Sequence, residues 1–323
     1  MYTTTSISVL CVTPALENAK RSDNPTTIGH FRMRRALQRN AFSEKNDATI
    51  SYLVVVRNKA KSISRCLESL VRAGIGQIVV VDGRSTDGTS EIIDRFPVLH
   101  LYDRGTGNVS NARNMGLKAC TGDYVVIVDG DQWVPARFGR DLRQILADKT
   151  PDAVMMRELR SGTSEWARAS QAEWTEVAAL RHDWVYWPKV FRRSILRDIG
   201  GWDESLFIED FDIWNRAKAL NPKLLICSLA IYSDSSGVSP LTELRRGTEG
   251  ISSLSKYVRR YPREWQRFLA IAPASWVYDL LIVMRVFLAS KSIRTASLVF
   301  ILRISRSIGR LIGVFYHPTR RLS

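Results

Sequence analysis

The sequence predicts an α/β fold in which helices flank a mostly parallel sheet. Four short runs predict strands, and three of them are apolar, rich in β-branched residues and typical of strands that are buried on both faces. Segments with the apolar spacing of helices separate these runs, and the links between them are short. Such alternation gives parallel strands joined by right-handed crossovers. The four runs cover residues 50–56, 77–81, 98–102 and 124–128.

The helices are predicted from apolar spacing and from signals at their ends. Residues 63–71 have helical spacing, and Gly74 follows where that helix should end. Asp87 or Thr89 can cap a short helix before the third strand, and another helix begins near Ser110. Beyond the fourth strand, the sequence predicts helices at 138–147 and 209–219, strands at 153–158 and 223–232, and helices from residue 241 onward.

Composition indicates one large globular unit with a smaller appendage. The chain has 323 residues, of which 45% are hydrophobic and 24% charged, so it does not resemble a disordered protein. Its four cysteines form no C-x-x-C pair. This spacing argues against a disulfide framework or a structural zinc site, and it suits a reducing cytoplasm.

The net charge of +15 is concentrated at the carboxyl end of the chain. Residues 1–49 carry 7 Lys/Arg and 4 Asp/Glu, whereas residues 240–323 carry 15 and 4. Residues 50–239 carry 25 and 24 and are nearly neutral, which argues against nucleic acid as a partner. We therefore expect three parts: a basic, loosely structured extension (1–48), a globular domain (49–238) and a basic amphipathic helical tail (239–323).

Polar residues follow three of the predicted strands at the edge where ligands bind in open parallel sheets. Asn58 follows the first strand and Asp82 the second, while Asp129-Gly130-Asp131 follows the fourth. A nucleotide diphosphate that leaves a sugar gains negative charge, and a divalent cation held by one or two carboxylates can offset it. The Asp-Gly-Asp triplet is thus a candidate site for a metal and a diphosphate, with Gly130 allowing a close backbone approach.

Two acidic residues, Glu209 and Asp210, begin a predicted helix. One interpretation is that they complement the positive end of the helix dipole. The other is that a carboxylate there deprotonates an attacking hydroxyl group. A third feature, Gly105-Thr-Gly107 leading to Ser110, imitates a dinucleotide-binding fingerprint. Because Ser110 stands in place of the third glycine and the strand before it is the third, we do not interpret it as a dehydrogenase motif.

Taken together, these residues resemble the family-2 glycosyltransferases, which have the GT-A fold. The resemblance covers about 165 residues and keeps the family's order of motifs. The matching pieces are Val-Val-Val-Arg-Asn at 54–58, Cys-Leu-Glu-Ser-Leu at 66–70, Val-Val-Val-Asp-Gly-Arg-Ser-Thr-Asp-Gly-Thr at 79–89, Ala-Arg-Asn-Met-Gly at 112–116, Asp-Gly-Asp at 129–131, Phe-Arg-Arg-Ser at 191–194, Gly-Gly-Trp-Asp-Glu at 200–204 and Glu-Asp-Phe-Asp at 209–212.

The resemblance implies inverting, single-displacement transfer of one sugar from a nucleoside diphosphate sugar. It implies that Asp210, with Glu209 beside it, activates the acceptor hydroxyl as general base, and that Asp131 holds Mn²⁺ or Mg²⁺. Asp82 and Asp87 would lie near the base or ribose, Arg113 near the diphosphate or base, and Asp129 near the ribose. The full implied set of nucleotide-sugar contacts is Val56, Asn58, Asp82, Asp87, Arg113, Asp129 and Gly130.

The chain departs from the family's pattern at two places. Lys59-Ala60 stands where members usually carry a glutamate, and Ser233 to Ser236 stands where many relatives carry a histidine that binds metal. Asp131 is therefore expected to be the metal's only side-chain ligand. The Gln-x-x-Arg-Trp signature of processive synthases is missing, so we expect one sugar per encounter. Two alternatives remain: a catalytically inactive nucleotide-sugar-binding protein, and a sugar nucleotidyltransferase, although the first strand lacks that class's glycine-rich phosphate loop.

The tail suggests a partner. Within residues 297–315, Arg303, Arg306 and Arg310 share one face, and apolar residues fill much of the rest. A helix lying in an anionic membrane surface has this pattern, and so does a helix packed on the protein's own core with its arginines in water. We expect a peripheral protein at the cytoplasmic face of the membrane with a glycan or lipid-linked acceptor, in polysaccharide or glycolipid biosynthesis.

Overall fold

A computed structural model describes residues 10–12, 48–74, 76–103, 108–180, 187–206, 209–251, 260–261 and 276–315. Within these residues, nine strands form one sheet in the order β1-β9-β7-β8-β5-β2-β3-β4, with β6 paired to β9. All neighbours are parallel except at β8, which runs antiparallel to β5 and β7, and at β6. The strands are β1 Leu10–Val12, β2 Ile50–Val56, β3 Gln77–Asp82, β4 Leu99–Tyr102, β5 Tyr124–Asp129, β6 Gln132–Trp133, β7 Ala153–Ser161, β8 Val190–Arg192 and β9 Leu224–Asp234.

Ten helices accompany the sheet in the described part of the chain. They are α1 Ile63–Ala73, α2 Thr89–Ile93, α3 Val109–Ala119, α4 Phe138–Lys149, α5 Glu165–Leu180, α6 Arg193–Asp198, α7 Glu209–Lys218, α8 Pro240–Ile251, α9 Trp276–Ser290 and α10 Ile293–Phe315.

Helices cover both faces of the central strands, as the continuous apolar runs predict. Side chains alternate across a strand, so Tyr52 and Val54 of β2 join one core cluster while Leu53 joins the other. The first cluster packs against α1 and α4, and the second against α3 and α7. The predicted mostly parallel, helix-flanked sheet is therefore confirmed, and the carboxyl ends of β2, β3 and β5 lie side by side.

The structure adds elements that periodicity did not predict. Leu10–Val12 pairs with β9, although the first 48 residues were expected to be loosely structured; the rest of that extension lies outside the described residues. Helix α5 was also missed, because its buried side chains are small or polar and form no apolar stripe. Strand β8 is only three residues long, which is too short to show a period.

Buried ion pairs join the three C-terminal helices to one another and to α5. Glu173 of α5 accepts hydrogen bonds from Arg303 at 2.7 Å and from Arg306 at 3.0 Å. Arg303 also donates to Asp279 of α9 at 2.7 Å, and Arg306 to Glu243 of α8 at 2.6 Å. Since removing one partner from such a buried network leaves a charge uncompensated, these pairs fix how α10 is oriented.

This packing corrects both interpretations of the arginine face. Only 5% of the Arg303 side chain and 22% of the Arg306 side chain are exposed, so these two arginines are turned into the protein. The sequence could not show it, because the acidic partners come from three other helices. Glycines let α8 and α10 cross closely: a Cβ at Gly309 would overlap the Leu244 carbonyl oxygen.

Among the described helices, the combination of length and apolar character needed to cross a bilayer is not found.

Glu173→Ala should destabilise the protein by about 3–5 kcal/mol, because it removes the buried carboxylate that Arg303 and Arg306 share and leaves excess positive charge in the interior. The matched control is Glu165→Ala on the same helix. Glu165 pairs with Arg294, but the two side chains are 44% and 75% exposed. The control should therefore cost less than about 1 kcal/mol. Urea unfolding of the whole chain measures both, and equal losses would contradict the account of the buried network.

Candidate active site

A buried arginine holds three carboxylates at the carboxyl edge of the sheet. Helix α3 begins at Val109 with Asn108 as its cap, and it points Arg113 towards this edge. The Arg113 guanidinium is bonded to Asp210 at 2.8 Å, to Glu209 at 3.1 Å and to Asp129 at 3.3 Å. Only 3% of the Arg113 side chain is exposed. The end of β5 and the start of α7 are thus joined through one cation.

The same cluster shifts the protonation of its members. Burial by itself lowers the pKa of Arg113, but Asp210, Glu209 and Asp129 more than offset this, so the pKa lies above its ordinary value. Burial and the neighbouring Asp210 charge together raise the pKa of Glu209 to about 7, against the opposing effect of Arg113. Glu209 therefore changes its charge near neutral pH.

A second buried cation, Lys189, was not predicted from the sequence. Its Nζ lies 3.4 Å from Asp129 Oδ2 and 3.7 Å from Glu158 Oε2, just before β8. Burial lowers the pKa of Lys189, but Asp129 and Glu158 raise it overall. The pKa of Asp129 is correspondingly lowered: burial raises it, and Lys189 and Arg113 outweigh that effect. A lone lysine in an irregular segment carries no signal of this role, since it depends on the antiparallel insertion of β8.

Asp131 lies apart from this cluster and is paired with Lys59. The Lys59 Nζ is 2.6 Å from Asp131 Oδ2, with side-chain exposures of 41% and 27%. The loop that carries Lys59 is fixed at several points. Asn58 has φ +52°, and its side-chain oxygen accepts from the Thr86 N–H at 2.8 Å. The Lys59 N–H donates to Thr89 Oγ1 at 2.8 Å, which fixes the backbone from which the side chain extends to Asp131.

A pocket of about 520 Å³ opens between this loop and the first turn of α8. Four cationic side chains line it, together with three carboxylates. The N-terminal ends of α1 and α8 both face it, and such ends attract anions. The charged lining residues are Lys59, Lys61, Arg245, Arg246, Asp87, Asp131 and Asp234.

The other predicted residues occupy a third region around β2 and β3. Asp82 is buried and accepts hydrogen bonds from the Ser85 N–H and from Ser90 Oγ. It borders a hollow of about 480 Å³ that Arg84, Tyr102 and Asp103 also line.

Asp87 instead holds the loop before α2. Its carboxylate accepts from the Thr89 hydroxyl and from the Ala60 N–H, and these bonds lower its pKa. Val56 is buried, and its Cγ2 would lie 2.8 Å from a Cβ at Gly130. Position 130 therefore needs glycine for space.

The structure thus brings Arg113, Asp129, Glu209 and Asp210 together and places Asn58, Asp87 and Asp131 on the adjacent pocket. Within the described residues, no group of three or more His, Cys, Asp or Glu side chains could hold a metal. A cation that takes one carboxylate and completes its shell with substrate phosphates still fits Asp131. Such a cation competes with Lys59 for the same oxygen.

Sequence comparison identifies the domain. Residues 51–204 match the sequence model described as "Glycosyl transferase family 2". These residues are a family 2 glycosyltransferase domain. The resemblance predicted from the motifs is therefore confirmed, while Glu209 and Asp210 lie just beyond the matched segment.

Similar proteins agree with this assignment. The glycosyltransferase GlyG of Streptococcus pneumoniae serotype 4 is 32% identical over 113 residues, covering 33% of this chain and 38% of GlyG. EpsJ of Bacillus subtilis, an uncharacterized glycosyltransferase, is 27% identical over 219 residues, covering 60% of this chain and 63% of EpsJ. The matches thus cover less than two thirds of these relatives' length.

A solved structure shows the fold. The mannosyltransferase PcManGT from Pyrobaculum calidifontis, in complex with GDP-Man and Mn²⁺, superposes with a TM-score of 0.55 at 17% identity. The match covers 84% of this chain and 88% of that one. The family 2 domain therefore has the GT-A fold.

Glu209→Gln should stabilise the protein at pH 8 by much more than at pH 5. An ordinary glutamate in the unfolded chain titrates near ~4.3. With a folded pKa of about 7, the folded state binds the extra proton between these values. The carboxyl's contribution to stability is therefore present below about pH 4 and lost as the pH rises through 7. Glutamine keeps the neutral form at every pH.

Thermal unfolding between pH 5 and pH 8 measures this difference. The melting temperature of Glu209→Gln should exceed that of the wild type at pH 8 by roughly 2–4 °C for each kcal/mol gained. Glu68→Gln, on the exposed face of α1, is the control and should follow the wild type. A Glu209→Gln difference that is independent of pH would contradict the shifted pKa.

Proposed function

We propose that this chain transfers one sugar from a nucleoside diphosphate sugar to a glycan or lipid-linked acceptor, with inversion at the anomeric carbon. The observation that carries the proposal is the arrangement around Arg113. It puts two carboxylates of α7 beside the carboxylate that ends β5, at the edge where ligands bind in parallel sheets. A base for the acceptor and a binding edge for the donor are thereby adjacent.

Asp210 is the proposed general base. Its side chain is 23% exposed, against 14% for Glu209, and Arg113 holds its Oδ1 in place. As the acceptor hydroxyl attacks the anomeric carbon, its proton passes to Asp210, and the bond from that carbon to the diphosphate oxygen breaks. Because the pKa of Glu209 is about 7, this carboxyl is about half protonated at neutral pH, and this reduces the negative charge beside Asp210.

The donor is proposed to lie across the two hollows. The nucleoside occupies the hollow of about 480 Å³ at Asp82, next to Val56, which pairs with Asp82 at the end of β2. Asn58 lines the neighbouring cationic pocket. The diphosphate enters the cationic pocket of about 520 Å³. Charge supports this assignment, since Lys59, Lys61 and two arginines of α8 can compensate the negative charge of a leaving diphosphate. Gly130, Asp87, Arg113 and Asp129 complete the proposed donor contacts.

Mn²⁺ or Mg²⁺ is proposed to bind through Asp131. When bound, a divalent cation acts as a Lewis acid that neutralises the leaving diphosphate. The Lys59–Asp131 pair also favours a second candidate, a protein that binds nucleotide sugars without turnover. Turnover of a donor separates the two, and a sugar nucleotidyltransferase would instead release pyrophosphate.

Donor binding and turnover together test the main proposal. A thermal-shift panel of nucleotide sugars with Mn²⁺ or Mg²⁺ should identify one donor that stabilises the chain, because only a ligand of the folded state raises the melting temperature. With that donor, Asp210→Asn should lower turnover by about 10²–10⁴-fold and leave donor affinity nearly unchanged. Asp141→Asn, an exposed carboxylate on α4, is the control. Full turnover by Asp210→Asn would exclude it as the base.

Lys59→Ala should bind Mn²⁺ about tenfold more tightly than the wild type when no donor is present. The change frees the Asp131 carboxylate and removes a positive charge that repels the ion; tenfold corresponds to about 1.4 kcal/mol. Electron paramagnetic resonance of free Mn²⁺ measures the affinity directly. Lys61→Ala, in the same pocket, should have a much smaller effect, and identical affinities for wild type and Lys59→Ala would place the metal elsewhere.

A further inference from the structure

Helix α9 presents an apolar face to solvent. Seven large hydrophobic side chains on this helix are exposed, and at 100° per residue they fall within an arc of about 140°. The exposed fractions reach 81% at Val277 and 64% at Leu288. Together the face comprises Trp276, Val277, Leu280, Leu281, Met284, Phe287 and Leu288.

Helix α10 extends this apolar character along the chain. Five of its large hydrophobic side chains are exposed, again on one side of the helix. They are Ile293, Phe300, Ile301, Ile308 and Ile312. Soluble proteins rarely expose contiguous apolar patches larger than a few hundred Å², and larger patches mark sites of interaction. The two faces are therefore candidates for a binding surface.

Buried ion pairs keep both faces turned outward. Asp279, the sole acidic residue of α9, bonds to Arg303 of α10 on the inner side. Arg285 of α9 bonds to Glu176 of α5 at 2.9 Å, and Arg303 also reaches Glu173. Rotating either helix to hide its apolar face would break these pairs in the interior. The exposed hydrophobic side chains are therefore a fixed property of the surface.

The charge around the helices favours an anionic lipid surface over a second copy of the chain. Lys291 lies at the turn between α9 and α10, and α10 contains no acidic residue. Arg294, in the first turn of α10, pairs with the exposed Glu165. In sequence, residues 252–275 carry five Lys/Arg and one Glu, and residues 316–323 carry two Arg and no acid. Two copies meeting here would bring like charges together, whereas anionic headgroups complement them.

We propose that α9 and the outward face of α10 lie in the interface of an anionic bilayer, parallel to its plane. The apolar side chains enter the boundary between headgroups and acyl chains, and Lys291, at the turn between the helices, contacts the headgroups. The buried arginine face of α10 takes no part. This inference concerns the surface alone and does not depend on the proposed sugar transfer.

Vesicle flotation of the full chain tests the proposal. Vesicles of phosphatidylcholine with about 30% phosphatidylglycerol should bind the protein, and pure phosphatidylcholine should bind it at least about tenfold less, because the basic flanks add electrostatic attraction. The variant Leu280→Glu/Met284→Glu places two charges on the α9 face and should reduce binding to anionic vesicles at least about tenfold. Its matched control, Val71→Glu/Leu220→Glu, changes two residues that are 42% and 46% exposed elsewhere and should bind like the wild type.

Each result decides the question. Circular dichroism melting first shows that both variants fold. Protein that stays unbound with anionic vesicles at low salt overturns the proposal, and so does equal loss of binding in both variants. Sedimentation velocity tests whether a second copy of the chain covers this face instead. A wild-type dimer that the α9 variant does not form, together with no binding to vesicles, would assign the face to a second copy.

Discussion

The arrangement of the candidate site depends on one buried guanidinium. Without Arg113, the carboxylates of Asp129, Glu209 and Asp210 would repel one another in a partly buried space. With it, a cation lies between them, and the end of β5 is tied to the start of α7. Lys189, the residue before the neighbouring strand β8, provides a second positive charge next to Asp129.

Patterns that repeat along the chain could be predicted, and contacts between distant segments could not. The buried runs of β2, β3 and β5 and the helices between them followed from periodicity, because burial on both faces leaves a continuous apolar signal. The positions of Asp82, Asp129 and Asp131 at strand ends followed from the same reasoning. Strand β8 is too short to show a periodic pattern, so neither it nor the contact between Lys189 and Asp129 could be predicted from the sequence.

The C-terminal arginines show the same limit more clearly. Their spacing along α10 was correctly seen as one face of a helix, but spacing does not tell whether a charged face meets water, lipid or opposite charges. The partners Glu173, Glu243 and Asp279 lie on three other helices, and each looked like an ordinary solvated acid in the sequence. Burial and partnership are properties of tertiary structure, and they reversed which side of α10 is exposed.

The glycine crossing of α8 and α10 makes the two helices a mechanical unit. At Gly309 the backbones meet with no side chain between them to yield, so α10 cannot shift inward without moving α8. The first turns of α8 carry Arg245 and Arg246 into the cationic pocket. The outward face of α10 and the arginines of the pocket wall therefore stand on two helices whose backbones are in direct contact.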